Sequence, residues 1–283
     1  MEQELDLDYC KKHKIGYFRR ETGGGTVFLD KYQIFYQVII RRDNPLTPRN
    51  NQAFFEKFLK PVVRVLSGFG LQGNFVPIND IIVGQKKISG NGGGEIGDCK
   101  VLVGNLLLDF NFTKIANILN VPNKEFRNRV LESMRKNMTT IKNELGLIPS
   151  QREIKDALIS EYEKSLGPLT PAKITDDIWS AMDELDRKFS TKKWLFQKVP
   201  KRSGRDIKIR EGIMIIYRSF ESHNRRYDII FELEDEKIRD IDVVSTSGTT
   251  LPNKALMNSL IGIVFEEKEV LNIINELHRK QDK

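Results

Sequence analysis

Residues 19–28, RRETGGGTVF, join two cationic side chains to three consecutive glycines and then to an apolar segment. Glycines lack a Cβ, so their backbone can approach a ligand closely, and successive N–H groups of such a segment can form an anion-binding nest. A guanidinium from Arg19 or Arg20 binds a carboxylate or phosphate through two parallel donors. The segment therefore suits an anionic, phosphate-bearing ligand. Taken alone, however, such a segment is more often a mobile hairpin turn with both arginines solvated beside it.

Residues 79–90, NDIIVGQKKISG, form a second informative segment, at a distance that lets two strands meet in one sheet. Together the two segments resemble the lipoate-protein ligase A family of the biotin/lipoate protein ligase superfamily. The signatures of that family read RRxSGGGxVxHD and NDIxVxGKKISG, in the same order. The resemblance continues through residues 106–110, 138–141 and 189–194, so it covers nearly the whole chain.

The resemblance implies an α+β fold with a class II-synthetase-like (biotin/lipoate ligase) catalytic sheet, flanking helices and a small C-terminal α+β accessory domain. A basic segment without periodicity, residues 192–205, predicts a linker. We therefore expect a catalytic domain over residues 1–190, a linker over 191–205 and the accessory domain over 206–283.

Local patterns predict the individual elements. Apolar and β-branched density predicts strands near residues 17–18, 27–28, 34–40, 75, 81–83, 101–110, 213–217, 227–231 and 241–244. Three- and four-residue apolar spacing predicts a helix from Asn51, with a possible kink at Pro61, and mostly helical structure over 113–167 with a capping box at Ser150 and Glu153. A further helix after Thr175 carries a stripe that predicts core packing, and closing helices are expected from Pro252 onward.

The resemblance implies an ATP-dependent ligase that activates lipoate, or octanoate, as an acyl adenylate and passes it to a lysine of a carrier domain. Such chemistry needs hydrogen-bond donors aimed at the carboxylate and the α-phosphate, bound Mg²⁺ and a shielded acyl site, and it needs no enzyme nucleophile. Lys87 matches the family lysine that bridges the acyl oxygen and the phosphate, so it is the predicted catalytic residue. For an arbitrary lysine the alternative is a surface position on a hairpin. Lys86 should point the opposite way on a strand.

The same resemblance assigns ligand-binding roles to further residues. Asn79 and Asp80 are expected in the nucleotide pocket, where Asp80 is also the candidate Mg²⁺ ligand; the alternative is an ordinary Asn-Asp turn. The full predicted set for substrate and adenylate binding is Arg19, Arg20, Gly23, Gly24, Gly25, Thr26, Asn79, Asp80, Ser89 and Gly90.

Two other patterns are discounted. Residues 92–97, GGGEIG, formally match GxGxxG, but no amphipathic helix follows them, so a flexible loop is the favoured interpretation. Cys99 follows the KISG segment, where the octanoyltransferases of the superfamily do not carry their nucleophile. We therefore expect a buried or incidental thiol there.

Composition limits the class of protein. The 283 residues are 39% hydrophobic and 30% charged, and no stretch approaches the ~20 apolar residues of a membrane helix. The first twenty residues are too charged for a signal peptide, and two cysteines, Cys10 and Cys99, offer neither zinc spacing nor a disulfide framework. These features predict a cytoplasmic protein with no membrane partner.

Charge indicates the kind of partner. The net charge is +7, but the basic residues are spread between acidic helices, and no nucleic-acid-binding motif stands out. We expect no nucleic acid and a mostly solvated basic face. The resemblance implies a lipoyl carrier domain as partner, either in a 2-oxoacid dehydrogenase acyltransferase subunit or in the glycine cleavage H protein, and complementary charge would raise the association rate.

The chain departs from the family pattern in three ways. The family's His-Asp appears as Leu29-Asp30, and its His-Gly-Thr/Ser appears as residues 103–105, VGN. The chain also starts late relative to the family, so an internal start or a partner chain supplying the N-terminal element is expected. These departures keep open a non-catalytic or partner-dependent paralogue that binds lipoate or an acyl carrier, and an ATP-independent lipoyl or octanoyl transferase. Biotin attachment is less favoured, because the signature of that branch is missing from the sequence.

Overall fold

The computed structural model describes residues 1–21, 23–246 and 253–281. The chain packs as two compact units, the first built from Met1–Leu119 and Lys136–Val199, the second from Asn120–Arg135 and Pro200–Lys283. Thr22 of the glycine motif lies outside the described residues, as does Pro252, where the closing helices were expected to begin. The boundaries expected from the sequence remain a prediction.

The first unit contains one antiparallel sheet and a set of helices. Its strands, in the spatial order β1-β5-β4-β3-β2, are β1 (Gln33–Arg41), β2 (Gly73–Val76), β3 (Asp80–Val83), β4 (Lys86–Ile96) and β5 (Cys99–Leu107). Its helices are α1 (Leu7–Lys12), α2 (Asn51–Gly68), α3 (Phe112–Ile118), the end of α4 (Lys124–Asn137), α5 (Ile141–Leu145), α6 (Gln151–Leu166), α7 (Asp176–Phe189) and α8 (Lys192–Leu195).

One face of this sheet packs against helices α2 and α6. Alternating residues of β1, such as Ile34 and Tyr36, lie in the core with Phe58 of α2 and Leu158 of α6. The predicted helix from Asn51 is α2, with Pro61 inside it, and the capping box at the start of α6 is present. Because side chains alternate along a strand, Phe35 and Ile39 project to the opposite face, where they are 43% and 63% exposed. That opposite face carries the candidate site.

Two predicted strands do not form. Residues 17–18 and 27–28 have no regular secondary structure, although their composition is typical of strands. A strand needs a neighbour that supplies backbone donors and acceptors, and the strand pairings within the described residues do not include these positions. Side-chain composition alone was therefore misleading here.

Helix α7 also differs from its prediction. Ile178, Met182 and Leu185 form the expected stripe, but they are 39–46% exposed, and no residue of α7 is buried. The amphipathic period correctly predicts the helix. It does not establish that a core covers the apolar side.

Residues 92–97 are not a flexible loop, which corrects a further prediction. Residues 92–96 belong to β4, and Gly97, with φ +55°, lies in the tight turn into β5. A strand follows this turn, as expected, so the dinucleotide-binding interpretation has no structural support.

The second unit contains a four-stranded antiparallel sheet with helices on both faces. Its strands, in the order β6-β7-β8-β9, are β6 (Arg205–Arg210), β7 (Ile213–Ser222), β8 (Arg225–Glu234) and β9 (Lys237–Thr246), and its C-terminal helices are α9 (Asn253–Leu260) and α10 (Glu267–Gln281). Phe231 and Ile241 pack with Leu256 and Ile274 of the two helices. On the other face, Arg129 of α4 pairs with three carboxylates, those of Glu232, Asp240 and Asp242.

Strand β6 was not predicted, because its sequence RDIKIR follows directly on the basic segment. The other strands of this unit match their predictions. Mixed helices and antiparallel sheets confirm the α+β class. None of the helices in residues 1–21, 23–246 and 253–281 combines the length and the apolar character that crossing a membrane requires.

Candidate active site

The glycine motif is organised by its own arginine. The Arg20 guanidinium donates to the carbonyl oxygen of Gly23 at 2.9 and 3.3 Å and to that of Gly25 at 2.9 Å. Gly24 has φ +106°, and a Cβ built on it would lie 2.8 Å from Nη2 of Arg20, so glycine is required there. Burial lowers the pKa of Arg20. Arg20 therefore fixes the shape of this loop, and three of its donor contacts are made within it.

A later segment packs onto the same loop. Nε1 of Trp194 donates to the carbonyl oxygen of Arg19 at 2.9 Å, and Lys188 pairs with Glu21 at 3.7 Å. The rings of Phe189 and Trp194 lie 4.7 Å apart between centroids. Arg19 itself donates to Gln197 at 3.2 Å. Residues 189–194, which carried part of the family resemblance, thus support the glycine motif in space.

Lys87 and Asp80 face each other across the β3–β4 hairpin. Nζ of Lys87 lies 2.8 Å from Oδ1 of Asp80, whose side chain is 1% exposed. A buried carboxylate is costly unless it is paired, so Lys87 is the natural partner of Asp80. An ammonium has three N–H donors, and this contact occupies one of them.

A β-bulge places Lys87 on the same face as Gly90. Ser89 of β4 lies opposite Ile81 of β3. The next residue of β3, Ile82, lies opposite Lys87 instead of Ile88, so Ile88 is the extra residue of the bulge. Ile88 and Ser89 are both fully buried. In a regular strand, residues three apart point to opposite faces. Here a Cβ built on Gly90 would lie 3.2 Å from Cε and 3.4 Å from Nζ of Lys87, so the ammonium lies over the backbone of Gly90.

Residues 138–139 hold β4 at Lys87 along the edge opposite to β3. The carbonyl oxygen of Lys87 accepts from the backbone N–H of Thr139 at 2.8 Å, and Lys87 also forms a parallel bridge with Met138. The Thr139 hydroxyl donates to Glu144 at 2.5 Å. Residues 138–141, a further part of the family resemblance, therefore fix the backbone from which the Lys87 side chain extends.

A chain of amide side chains links this hairpin to the end of the glycine motif. Oδ1 of Asn105 accepts from the N–H of Gly90 at 2.9 Å, and Nδ2 of Asn105 donates to Oε1 of Gln33 at 2.8 Å. Nε2 of Gln33 donates to the carbonyl oxygen of Phe28 at 2.9 Å and contacts Asp30 at 3.4 Å. Sequence reasoning missed Gln33, and it noted Asn105 only as a departure from the family motif.

Two predicted ligand-binding residues have structural partners. Asn79 and Asn91 exchange hydrogen bonds, each side-chain amide donating to the other's backbone carbonyl. The Ser89 hydroxyl is fully buried, on the core side of the sheet, near Tyr36 and the side-chain amide of Asn91. Burial raises the pKa of Tyr36, so its hydroxyl remains protonated. Any contact of Ser89 with a ligand would therefore involve its backbone.

The structure brings Lys87, Asp80 and Gly90 together and connects them to residues 28–30 through Asn105 and Gln33. The Ser89 side chain lies on the other face. Thr26 donates to Glu4 at 3.2 Å, beside the glycine loop. The ligand-binding roles of Arg19, Arg20, Gly23, Gly24, Gly25 and Thr26 remain predictions.

Asp80 is the carboxylate that the sequence predicts for Mg²⁺. Protein-bound Mg²⁺ commonly takes one or two carboxylates together with substrate phosphates. Here Oδ1 of Asp80 is paired with Lys87, and the described residues contain no group of three or more His, Cys, Asp and Glu side chains that could hold a metal. The described residues therefore form no protein-built Mg²⁺ cage, and the role of Asp80 as a single carboxylate ligand stays a prediction.

Comparison with known proteins supports the resemblance to lipoate-protein ligases. The model of the lipoyl protein ligase A/B catalytic domain family matches residues 1–163. Lipoate-protein ligase 1 of Staphylococcus aureus is 27% identical over 276 residues, which cover 97% of this chain and 78% of that protein. Octanoyltransferase LipM of Halalkalibacterium halodurans is 24% identical over 224 residues, which cover 70% of this chain and 80% of that protein.

Two solved structures share the fold. One is from the study of a bi-partite lipoate protein ligase and its E2 lipoyl domain from Thermoplasma acidophilum; it has a TM-score of 0.63 and 28% identity, covering 71% of this chain and 78% of that one. The other is a lipoate-protein ligase A bound with ATP, with a TM-score of 0.57 and 28% identity, covering 68% of this chain and 76% of that one. The resemblance carried by the glycine motif and the KISG segment is thereby confirmed: the chain belongs to the lipoyl protein ligase A/B catalytic domain family.

Proposed function

We propose that this chain activates lipoate, or octanoate, with ATP as an acyl adenylate and transfers the acyl group to a lysine of a lipoyl carrier domain. By family and by its ligase relatives the chain is an enzyme of the lipoate-protein ligase class. The observation that carries the more specific proposal is the Lys87 ammonium, which is held by Asp80 and lies over Gly90. The ATP and the lipoyl domain named for two similar structures support the choice of co-substrate and partner.

The first half-reaction is an exchange at phosphorus. A carboxylate oxygen of the acid forms a bond to the α-phosphorus of ATP, the bond from that phosphorus to the bridging oxygen breaks, and pyrophosphate leaves. Negative charge is concentrated on the carboxylate and the α-phosphate, which must approach each other. The free donors of Lys87 would contact one oxygen of each group and so reduce their repulsion. The N–H groups of the glycine loop would bind phosphate.

The second half-reaction forms the amide. The neutral amine of the carrier lysine attacks the acyl carbon, the C–O bond to AMP breaks, and AMP leaves with that electron pair. The nitrogen releases its extra proton to solvent water. Lys87 would stabilise charge on both the carbonyl oxygen and the departing phosphate. The Asp80 carboxylate, 2.8 Å from Nζ, would hold this ammonium in place while the ligands change.

The similarity to an octanoyltransferase makes transfer without ATP the second candidate. A thioester route would need a nucleophilic thiol at the site. Cys99 pairs with Ile96 at the far end of β4. Ile96 lies nine residues along the strand from Lys87, which is at most about 30 Å at about 3.4 Å per residue. The position of Cys99 therefore favours ligation over transfer through this thiol.

The test is lipoate-dependent exchange of radiolabelled pyrophosphate into ATP, measured on the parent and on Lys87→Ala. Removing one preorganised donor should lower the exchange rate by about 10²–10³-fold. Lys86→Ala is the matched control, because Lys86 is adjacent, carries the same charge and is exposed. Exchange at the parent rate in Lys87→Ala would refute the role of Lys87. A parent protein that shows no exchange but moves octanoyl groups between carriers without ATP would favour the transferase.

A further inference from the structure

Strand β4 changes partners at Gly90. From Asn91 to Ile96 it pairs with β5, and the last pair of that ladder is Asn91 with Gly104. At Gly90 it pairs with Asp80 of β3 instead. The next residue along β5 is Asn105, and its side chain, rather than its backbone, accepts the N–H of Gly90 at 2.9 Å. Asn105 therefore holds β4 where the strand separates from β5, immediately before the hairpin that carries Lys87.

The direction of the whole amide chain is determined by its two ends. A backbone N–H only donates, so the oxygen of Asn105 must face Gly90, and its NH₂ group is left to donate to the oxygen of Gln33. The NH₂ group of Gln33 then donates to the carbonyl oxygen of Phe28, which only accepts. Gln33 is 5% exposed, so water cannot easily replace these contacts. Neither amide can flip without breaking hydrogen bonds.

We propose that Gln33 and Asn105 act as a positioning pair, which couples residues 28–30 to Gly90 and so sets the place of the Lys87 ammonium. The two side chains hydrogen-bond to each other, to Gly90 and to residues 28–30. The pair acts through the backbone of Gly90, over which the Lys87 side chain lies. The inference rests on the proposed function for its catalytic consequence, but the coupling itself concerns only this chain.

Kinetics of adenylate formation test the consequence. A misplacement of about 1 Å can cost about 100-fold in rate, so Asn105→Ala and Gln33→Ala should each lower kcat about 10- to 100-fold and leave the KM for ATP unchanged. Gln37→Ala is the matched control, because Gln37 is the same residue type on the same strand and face but is exposed. The double variant Gln33→Ala, Asn105→Ala should be about as slow as the slower single variant, because both substitutions interrupt the same series of hydrogen bonds.

Hydrogen exchange of the Gly90 amide, followed by NMR, tests the coupling without any activity. Asn105→Ala should raise its exchange rate about fivefold or more, as expected for one lost hydrogen bond. Gln33→Ala should also raise it, although Gln33 does not contact Gly90; a purely local packing role for Gln33 would leave it unchanged. Gln37→Ala should have no effect.

Asn105→Asp provides a near-isosteric variant if the alanine variants fold poorly. Its carboxylate still accepts from Gly90 but cannot donate to Gln33, so the Gly90 amide should stay protected while kcat falls. The inference would be overturned if Asn105→Asp kept the parent kcat, or if Gln33→Ala left the exchange rate of the Gly90 amide unchanged. It would also be overturned if Gln37→Ala lowered kcat as much as Gln33→Ala does. A parent protein without lipoate-dependent exchange would refute the proposed function, whereas the Gly90 measurements would still decide the coupling.

Discussion

Gly90→Ala should slow adenylate formation without destabilising the protein. The new Cβ would lie 3.2 Å from Cε of Lys87, which is too close by a few tenths of an ångström, and 3.4 Å from Nζ. The flexible Lys87 side chain can move by that amount, so the strain on the fold is small. The Lys87 ammonium, however, would leave the position in which it contacts Asp80 at 2.8 Å.

The size of the effect follows from that displacement. If about 1 Å of misplacement costs about 100-fold, or about 2.7 kcal/mol, a shift of about 0.3–0.5 Å scales to about 0.8–1.4 kcal/mol. The expected result is about a 4- to 10-fold lower kcat. Alanine also restricts the unfolded chain, which favours folding by about 0.4–1 kcal/mol and offsets the small local strain. The melting temperature should therefore stay near that of the parent.

The assay is lipoate-dependent pyrophosphate exchange, with thermal unfolding measured on the same preparations. Gly92→Ala is the matched control, because Gly92 lies two residues further along β4 and a Cβ there meets no atom within 4 Å. A Gly90→Ala variant with the parent kcat would refute the displacement of Lys87. An equal loss of activity in Gly92→Ala would refute it too, as would a loss in Gly90→Ala that is accompanied by an equal loss of stability.

Two further predictions concern stability. Gly104→Ala should be strongly destabilising, because its Cβ would lie 2.1 Å from Oδ1 of Asn91 and 2.4 Å from the Tyr36 hydroxyl. Overpacking and unpaired buried groups together cost about 2–6 kcal/mol of folding free energy. The melting temperature should therefore fall on the order of 10 °C. A parent-like melting temperature would contradict this. Lys142→Met tests the ion pair with Asp109 at 2.7 Å, since the Lys142 ammonium lowers the pKa of Asp109. A carboxyl whose pKa is depressed in the folded protein stabilises the fold at pH values above its unfolded pKa. This stabilisation is lost as the pH falls through the folded pKa. The melting temperatures of parent and variant should therefore differ at neutral pH and converge in acid. A difference that persists unchanged in strong acid would exclude this linkage.

Much of the fold follows from local sequence. Apolar alternation predicts β1, three- and four-residue spacing predicts α2, and Ser150 with Glu153 predicts the start of α6. These patterns are reliable because each depends on contacts within one segment or on one buried face. The strands predicted at residues 17–18 and 27–28 do not form, because a strand also depends on a neighbouring strand, which composition does not reveal. The core packing predicted for the apolar stripe of α7 was wrong for a similar reason, since helical periodicity shows an apolar side but not what covers it.

The sequence by itself determined the family, the glycine motif and the identity of Lys87 as the candidate catalytic residue, because each depends on which side chains occur in which order. Only the tertiary structure decided how these residues meet. The bulge at Ile88 places Lys87 and Gly90, three residues apart, on one face, although regular strand periodicity places them on opposite faces. The contacts from Phe28 through Gln33 and Asn105 to Gly90 join residues up to 72 positions apart in the chain, at separations where local sequence patterns carry no information. The same holds for residues 120–135, which pack in the second unit because Arg129 meets carboxylates of β8 and β9 more than one hundred residues later.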